Sequence, residues 1–241
     1  GGIVRDKDGK NPQRLGERMH LRSELEGSLK RLGVEVIDLY QMHWPSDDVP
    51  LEDYWATLQE LKAEGKVRHV GLSNHGVEQL QRAEAIGHVE TLQPPFSMIR
   101  RDTADDILPW CHAHGTGVIC YSPMQAGLLT GGFSRERAAV LPENDWRKTS
   151  PEFMGERLER NLALADRLRP IAEAHGTSMS TIALAWALAW PGLTATIVGA
   201  RSPAQVDGWI DAATFELGAD DMDAIAAAIA DTGAGQGPAK P

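Results

Sequence analysis

A histidine stands where a run of apolar residues stops: Val34 to Met42 is followed by His43, Trp44 and Pro45. Imidazole can donate a hydrogen bond, accept one or carry a proton near neutral pH, so this ending suits acid–base or orienting chemistry, or a plain bond to backbone. Four more runs end in polar or conformationally special residues: Val67 to Asn74, Val89 to Ser97, Gly117 to Pro123 and Leu193 to Arg201. They supply Ser73, Asn74 and Gln93, whose hydroxyl and amides both donate and accept, although Asn74 alone also reads as a turn or helix-cap residue. They supply Tyr121, an amphipathic ring that in isolation reads as core, and Arg201, whose planar fork matches a phosphate. Parallel α/β proteins assemble their active sites at the C-terminal ends of strands, so the five endings together mark where a site is expected.

The elements that position these residues follow from periodicity. Residues 1–20 are polar, with Gly, Pro and Asn, and read as a loop leading into a first helix over about His20 to Leu32, stopped by Gly33. Val34 to Met42 reads as a strand, and Leu51 to Glu64 carries Leu51, Tyr54, Trp55, Leu58 and Leu61 at helical spacing. Alternation along that strand puts Ile37, Leu39, Gln41 and His43 on one face, and Tyr40 and Met42 on the other, which makes Tyr40 a packing residue. The grammar repeats as Val67 to Ser73 with Val77 to Ala85, Val89 to Gln93 with Ala104 to His114, and then Gly117 to Ser122. Strands separated by helices of this length imply parallel, right-handed crossovers. Met124 to Ser150 is too long for an ordinary connection and reads as a binding loop or lid. Pro151 suits the first position of a helix reaching Ala174, and Met179 to Trp190 is apolar around most of its surface and should be buried. Thr194 to Val198, Pro203 to Ala213 and Asp220 to Asp231 complete the pattern as a strand and two helices, with acidic residues at the last helix start favoured by its dipole.

Composition excludes several classes. The chain has 24 Lys+Arg against 34 Asp+Glu, a net charge of −10, and no basic stripe to neutralise phosphates, so nucleic acid is not an expected partner. Ile182 to Trp190 falls short of the ~20 apolar residues a membrane helix needs, and no signal-peptide pattern opens the sequence. The two cysteines, Cys111 and Cys120, have no paired spacing, which points to a soluble protein of the reducing cytoplasm. Cys111-His112-Ala113-His114 offers metal-ligand types, but residues two apart on a helix point to different sides and no second ligand pair follows, so no metal is expected.

Several segments resemble one family residue for residue. Asp38-Leu39-Tyr40-Gln41-Met42-His43-Trp44 looks like the fourth strand of the aldo-keto reductases, and Gly65-Lys66-Val67-Arg68-His69-Val70-Gly71-Leu72-Ser73-Asn74 like the fifth. Leu92-Gln93-Pro94-Pro95-Phe96-Ser97 resembles the sixth, Gly117-Val118-Ile119-Cys120-Tyr121-Ser122-Pro123 the seventh, and Val198-Gly199-Ala200-Arg201-Ser202-Pro203 the eighth. The likeness runs from about Gly1 to Asp231, and five motifs in order make it specific. The resemblance implies a carbonyl reductase in which His43 donates to the substrate carbonyl and Trp44 walls the substrate mouth. It implies that Ser73, Asn74 and Gln93 hold the nicotinamide carboxamide and that Tyr121 stacks on the nicotinamide. It also implies that Ser122, Pro123, Gln125, Gly127 and Leu128 close over the pyrophosphate. Gly199, Arg201, Ser202 and Gln205 match the segment receiving the adenosine end, where Arg201 favours NADP(H) over NAD(H). After Gln205-Val206-Asp207 the family often has Glu-Asn contacts to adenine; here Gly208-Trp209 stands instead, with Trp209 a stacking alternative.

The implied fold is a (β/α)8 barrel of the TIM type, with about five parallel strands here, the fourth to the eighth. Residues 1–231 form one partial-barrel domain with a long cofactor-side loop at 124–150, and 232–241 form a flexible tail. The family's proton-donating tyrosine, with its tuning lysine and aspartate, comes from the first three units, and none has a match. Tyr40, Tyr54 and Tyr121 are read as packing, helical and stacking residues. The expectation is therefore a C-terminal portion of a reductase, inactive alone and marginally stable because five strands cannot close the barrel. The alternative is a nicotinamide-binding regulatory module of the same fold without catalysis.

Overall fold

A computed structural model describes residues 1–5 and 12–241. The middle of the expected N-terminal loop, residues 6–11, lies outside the described residues. Two compact units divide the chain, Gly1–Pro94 with Trp110–Ile119, and Pro95–Pro109 with Cys120–Pro241.

The first unit opens on a short antiparallel pair, β1 (Ile3–Val4) with β2 (Gln13–Arg14), inside the stretch expected as loop. Helix α1 (Arg18–Leu32) buries Leu21, Leu25 and Leu29, a four-residue recurrence that makes one apolar stripe. It ends at Gly33, whose left-handed φ of 69° lets its N–H reach Leu29 O. Strand β3 (Ile37–Met42) starts three residues later than Val34; within it Tyr40 and Met42 are buried, in keeping with the alternation. Next come α2 (Leu51–Ala63), β4 (Val67–Ser73), α3 (Val77–Glu84) and β5 (Thr91–Gln93). Helix α4 (Ile107–His114) and β6 (Gly117–Tyr121) follow. The pairs β3–β4, β4–β5 and β5–β6 are parallel, with Met42 opposite Leu72, Ser73 opposite Gln93 and Leu92 opposite Val118. This register brings the endings at His43, Asn74 and Gln93 to one side of the sheet. Gly71 serves the close approach of β4 to β5, because an added Cβ would clash with the Thr91 hydroxyl and lie 2.6 Å from its carbonyl oxygen.

The second unit contains α5 (Arg135–Ala139), α6 (Gly155–Ala174), α7 (Met179–Leu188), β7 (Leu193–Ile197), α8 (Pro203–Asp207) and α9 (Ala219–Thr232). In the first unit, chain order and sheet order coincide from β3 to β6. Helix α7 is buried nearly all round, as its composition requires, and Trp186 stacks on Phe96 at 5.4 Å. Two expected helices are broken. Pro151 opens only a 3-10 turn, Pro151–Phe153, and the extended Met154 separates it from α6. The expected helix from Pro203 to Ala213 stops at Asp207, where Gly208 and the non-helical Trp209 intervene before a 3-10 turn at Ile210–Ala213.

The expectation of a flexible tail over 232–241 meets a different placement. Gly233 caps α9 in the left-handed region, Ala234 is buried, and the Arg101 guanidinium donates to the carbonyls of Ala234 and Gly237 at 3.0 and 3.1 Å. Arg101 N also donates to Gln236 O at 3.1 Å. A composition of Gly, Ala and Pro suggested disorder, but Gly235 and Gly237 are the residues that let this segment lie against backbone.

Candidate functional site

At the sheet end of the first unit, the predicted residues form a continuous hydrogen-bonded network. Ser73 Oγ donates to Gln93 O at 2.8 Å, and Asn74 N donates to the same carbonyl at 3.2 Å. Asn74 Nδ2 donates to His43 O at 2.9 Å and to Ser73 Oγ at 3.0 Å. Gln93 Nε2 donates to Gln41 Oε1 at 2.9 Å, and Gln41 Nε2 donates to Thr91 Oγ1 at 3.0 Å. The ends of β3, β4 and β5 are thus tied by side chains as well as by the ladder. His43 is exposed, with its N–H bonded to Gly1 O at 3.1 Å. Burial, then the charges of the Gly1 amino group and Arg5, push its imidazole below the ordinary histidine value. Trp44 is half-buried, with the Arg14 guanidinium 4.5 Å from its ring centroid.

Behind this network lies a pair the sequence reading passed over. His75 is 1% exposed; its Nε2 lies 2.7 Å from Tyr54 Oη and its Nδ1 2.8 Å from Ser73 O. A carbonyl can only accept, so Nδ1 carries the proton and Nε2 accepts from the Tyr54 hydroxyl. Burial lowers the His75 pKa to about 4, against the raising effect of the Ser73 carbonyl. Tyr40 and Tyr54 hydroxyls are both pushed up by burial.

In the second unit, the residues after β6 and β7 line a cleft of about 1080 Å³. Its walls include Tyr121, Ser122, Pro123 and Gly127 from the β6 side, and Gly199, Arg201 and Gln205 from the β7 side. Gln205 Oε1 accepts from Arg201 N at 2.7 Å, which fixes the turn that presents the Arg201 side chain to solvent. Three other predicted residues are placed elsewhere. Leu128 is fully buried, Gln125 turns its amide oxygen to Ser97 Oγ at 3.0 Å and lines a second cleft, and Ser202 is the N-cap position of α8.

The cleft also has members that were not anticipated. Arg137, Trp146 and Arg147 line it, beside Trp209, which the sequence offered as a stacking alternative. Arg147 is buried and held by Asp145 through Nε–Oδ1 at 3.0 Å and Nη2–Oδ2 at 2.6 Å, a bidentate pair that lowers the Asp145 pKa to about 2. The signal in sequence was only Asp145-Trp146-Arg147 within a loop that has no period. Backbone strain marks the same places: the non-glycine residues with left-handed φ among the described residues are Asn74, Ser122, Gln125 and Ala126. Such residues cost of order 1–3 kcal/mol each and collect at ligand clamps. Cys111 and Cys120 are free and buried, and burial raises both thiols to about 12, which leaves them unreactive at neutral pH.

Comparison with known proteins gives the family. A model of the Aldo/keto reductase family matches residues 6–230. Among curated proteins, the aldo-keto reductase YhdN of Bacillus subtilis (strain 168) is 33% identical over 218 residues, covering 89% of this chain and 65% of that protein. The probable aldo-keto reductase 1 of Glycine max is 33% identical over 214 residues, covering 89% and 61%. Among solved structures, the glycerol dehydrogenase AKR11B4 from Gluconobacter oxydans superposes with a TM-score of 0.90 at 33% identity, over 96% of this chain and 71% of that one. The thermostable aldo-keto reductase Tm1743, solved with the inhibitor epalrestat, gives 0.68 at 25% identity, over 88% and 67%. The chain thus spans 65% and 61% of the length of the two curated relatives.

Proposed function

The chain belongs to the aldo/keto reductase family, and from that premise we propose that it serves the NADP(H)-dependent reduction of aldehydes or ketones to alcohols. The observation that carries the cofactor reading is the second-unit cleft. At about 1080 Å³ it has room for an extended dinucleotide, since ordinary ligand pockets run to about 1000 Å³. Its lining includes Ser122, Ala126 and Gly127 from the loop of left-handed backbone, together with Arg137 and Arg201, two cations that suit an anionic cofactor. The bound cofactor supplies the hydride. Tyr121 offers a flat ring, half-buried, as a stacking face. Ser73, Asn74 and Gln93 offer the mixed donors and acceptors that a primary amide needs. His43, neutral at physiological pH because its pKa is lowered, offers an N–H to a substrate carbonyl oxygen and so fixes its direction.

Arg201 is the group in this reading that separates the two cofactors. Arg201→Ala should weaken NADPH binding ten- to a hundredfold, the range for losing charge-assisted bonds to a phosphate, while NADH changes less than threefold. Titration of tryptophan fluorescence measures both. Equal losses would contradict a 2′-phosphate contact.

A second reading is favoured by the tyrosines. Tyr54 is committed to His75, Tyr40 is a packed side chain, and burial raises both hydroxyls, so neither suits proton donation. In that reading the chain binds nicotinamide without turnover, as a regulatory module. NADPH quenching with no reduction of a simple aldehyde would support it; turnover would refute it. A cytoplasmic location goes with either reading, given the free buried cysteines. No helix among the described residues is long and apolar enough to cross a membrane.

A further inference from the structure

Asn74 must hold a costly conformation to do what the proposed function asks of it. Its φ is 63°, a region that only glycine adopts without penalty, and its side chain bonds His43 O and Ser73 Oγ. Such a residue persists only where its surroundings over-determine it. On the sheet side, Asn74 N and Ser73 Oγ are both anchored on Gln93 O. On the helix side, the Ser73 carbonyl is anchored by His75, one residue beyond Asn74, so the peptide unit joining Ser73 to Asn74 is gripped from both directions.

His75 could grip that carbonyl only in one tautomer, and Tyr54 selects it. The Tyr54 hydroxyl at 2.7 Å donates to Nε2, which leaves Nδ1 as the protonated nitrogen facing Ser73 O. Both side chains are at most 1% exposed, so water does not compete for either bond. Tyr54 is itself fixed on α2 between the buried Leu51 and Leu58, and its ring meets the imidazole edge-on at 5.9 Å. Both side chains are buried behind the strand-end network rather than displayed on it.

We infer that Tyr54 and His75 are positioning residues for nicotinamide binding, acting through the Ser73–Asn74 peptide to hold the Asn74 amide in place. The inference rests on the proposed reading of Ser73, Asn74 and Gln93 as carboxamide contacts. It requires that loss of the imidazole weaken cofactor binding even in folded protein, because Asn74 is then released to ordinary backbone conformations. A residue that merely fills space would lower the melting temperature and leave affinity unchanged.

The test measures NADPH dissociation constants at 10 °C for the full chain, with circular dichroism confirming the fold. His75→Leu should weaken NADPH about tenfold, the usual effect of leaving a buried carbonyl without its donor. His75→Asn, whose amide nitrogen replaces Nδ1, should recover affinity to within about threefold of wild type, and Tyr54→Phe should lie between. Nitrogen-15 imidazole shifts should show Nδ1 protonated in wild type and a tautomer mixture in Tyr54→Phe. Should His75→Leu not fold, Tyr54→Phe keeps the ring volume and carries the same comparison. Wild type that binds NADPH, with variants within twofold of it, would overturn the inference alone. Wild type that binds neither NADPH nor NADH would overturn the proposed function and the inference with it.

Discussion

Acidification from pH 6.5 to pH 4 should cost the wild-type chain about 3 kcal/mol of stability through His75 alone. Burial depresses the folded-state pKa of this histidine to about 4, while the unfolded chain titrates near 6.5. Between those values the unfolded state binds the extra proton and the folded state does not. Stability from this group is therefore complete above pH 6.5, falls as the pH drops, and changes no further below about 4. At about 1.4 kcal/mol per pH unit, the interval gives the stated loss. Glu84 and Glu90, whose pKa values are lowered, lose their own contributions at lower pH, below the ordinary carboxylate value. They are shared by any His75 variant, so urea unfolding of wild type against His75→Asn isolates the histidine. The variant should decline less steeply than wild type between pH 6.5 and 5, keeping only shared contributions such as that of His43, whose pKa is also lowered. Parallel curves over that interval would mean that the imidazole is not held neutral by its site.

His75 also shows which parts of the site the sequence could carry. The strand endings at His43, Ser73–Asn74 and Gln93 were legible because each closes an apolar run, and a periodic run announces its own end. His75 was adjacent to those residues and still went unread, since its meaning depends on Tyr54, 21 residues upstream on a helix whose spacing marked that tyrosine as packing. The strand Val67–Ser73 and the stop at Gly33 were readable residue for residue from local composition. The same local logic failed at Gly208–Trp209, where a helix-compatible pattern is interrupted by a backbone turn that faces the cleft.

The loop after β6 marks a second limit. Glycine is the residue whose conformational freedom a sequence advertises, and Gly127, with a φ of 105°, uses it. Yet Ser122, Gln125 and Ala126 are left-handed too, with φ of 58°, 45° and 50°, and nothing in those side chains signals it. Tertiary anchors impose that shape, including Ser97 on the Gln125 amide and the Arg147 guanidinium near Ala126 O at 3.4 Å. Asp145 and Arg147, which supply one anchor, are two residues apart in an aperiodic loop, so only the fold reveals that they are a pair.

The C-terminal segment supplies the other large effect, through Gly235. Its φ is 64°, and an added Cβ would lie 2.6 Å from the Ile99 carbonyl carbon and 2.8 Å from Ile99 Cα. Two costs then combine in Gly235→Ala: about 1–2 kcal/mol for an L-residue in left-handed backbone, and about 1–3 kcal/mol for overpacking against atoms that cannot swing aside. The sum of about 3 kcal/mol corresponds to a melting temperature lower by about 10 °C for a chain of this size. Gly33→Ala is the control, because its φ of 69° is equally left-handed but nothing lies within 4 Å of the new methyl; about 1–2 kcal/mol is expected there. The excess at Gly235 has a functional reach. The segment it braces, Ile99 to Arg101, follows Ser97, whose hydroxyl donates to Gln125 in the strained loop lining the cleft. Pushing Ile99 aside should loosen that anchor, so Gly235→Ala should weaken NADPH binding where Gly33→Ala leaves it unchanged. Equal melting temperatures for the two variants in calorimetry would show that the C-terminal segment does not lie against Ile99 in solution.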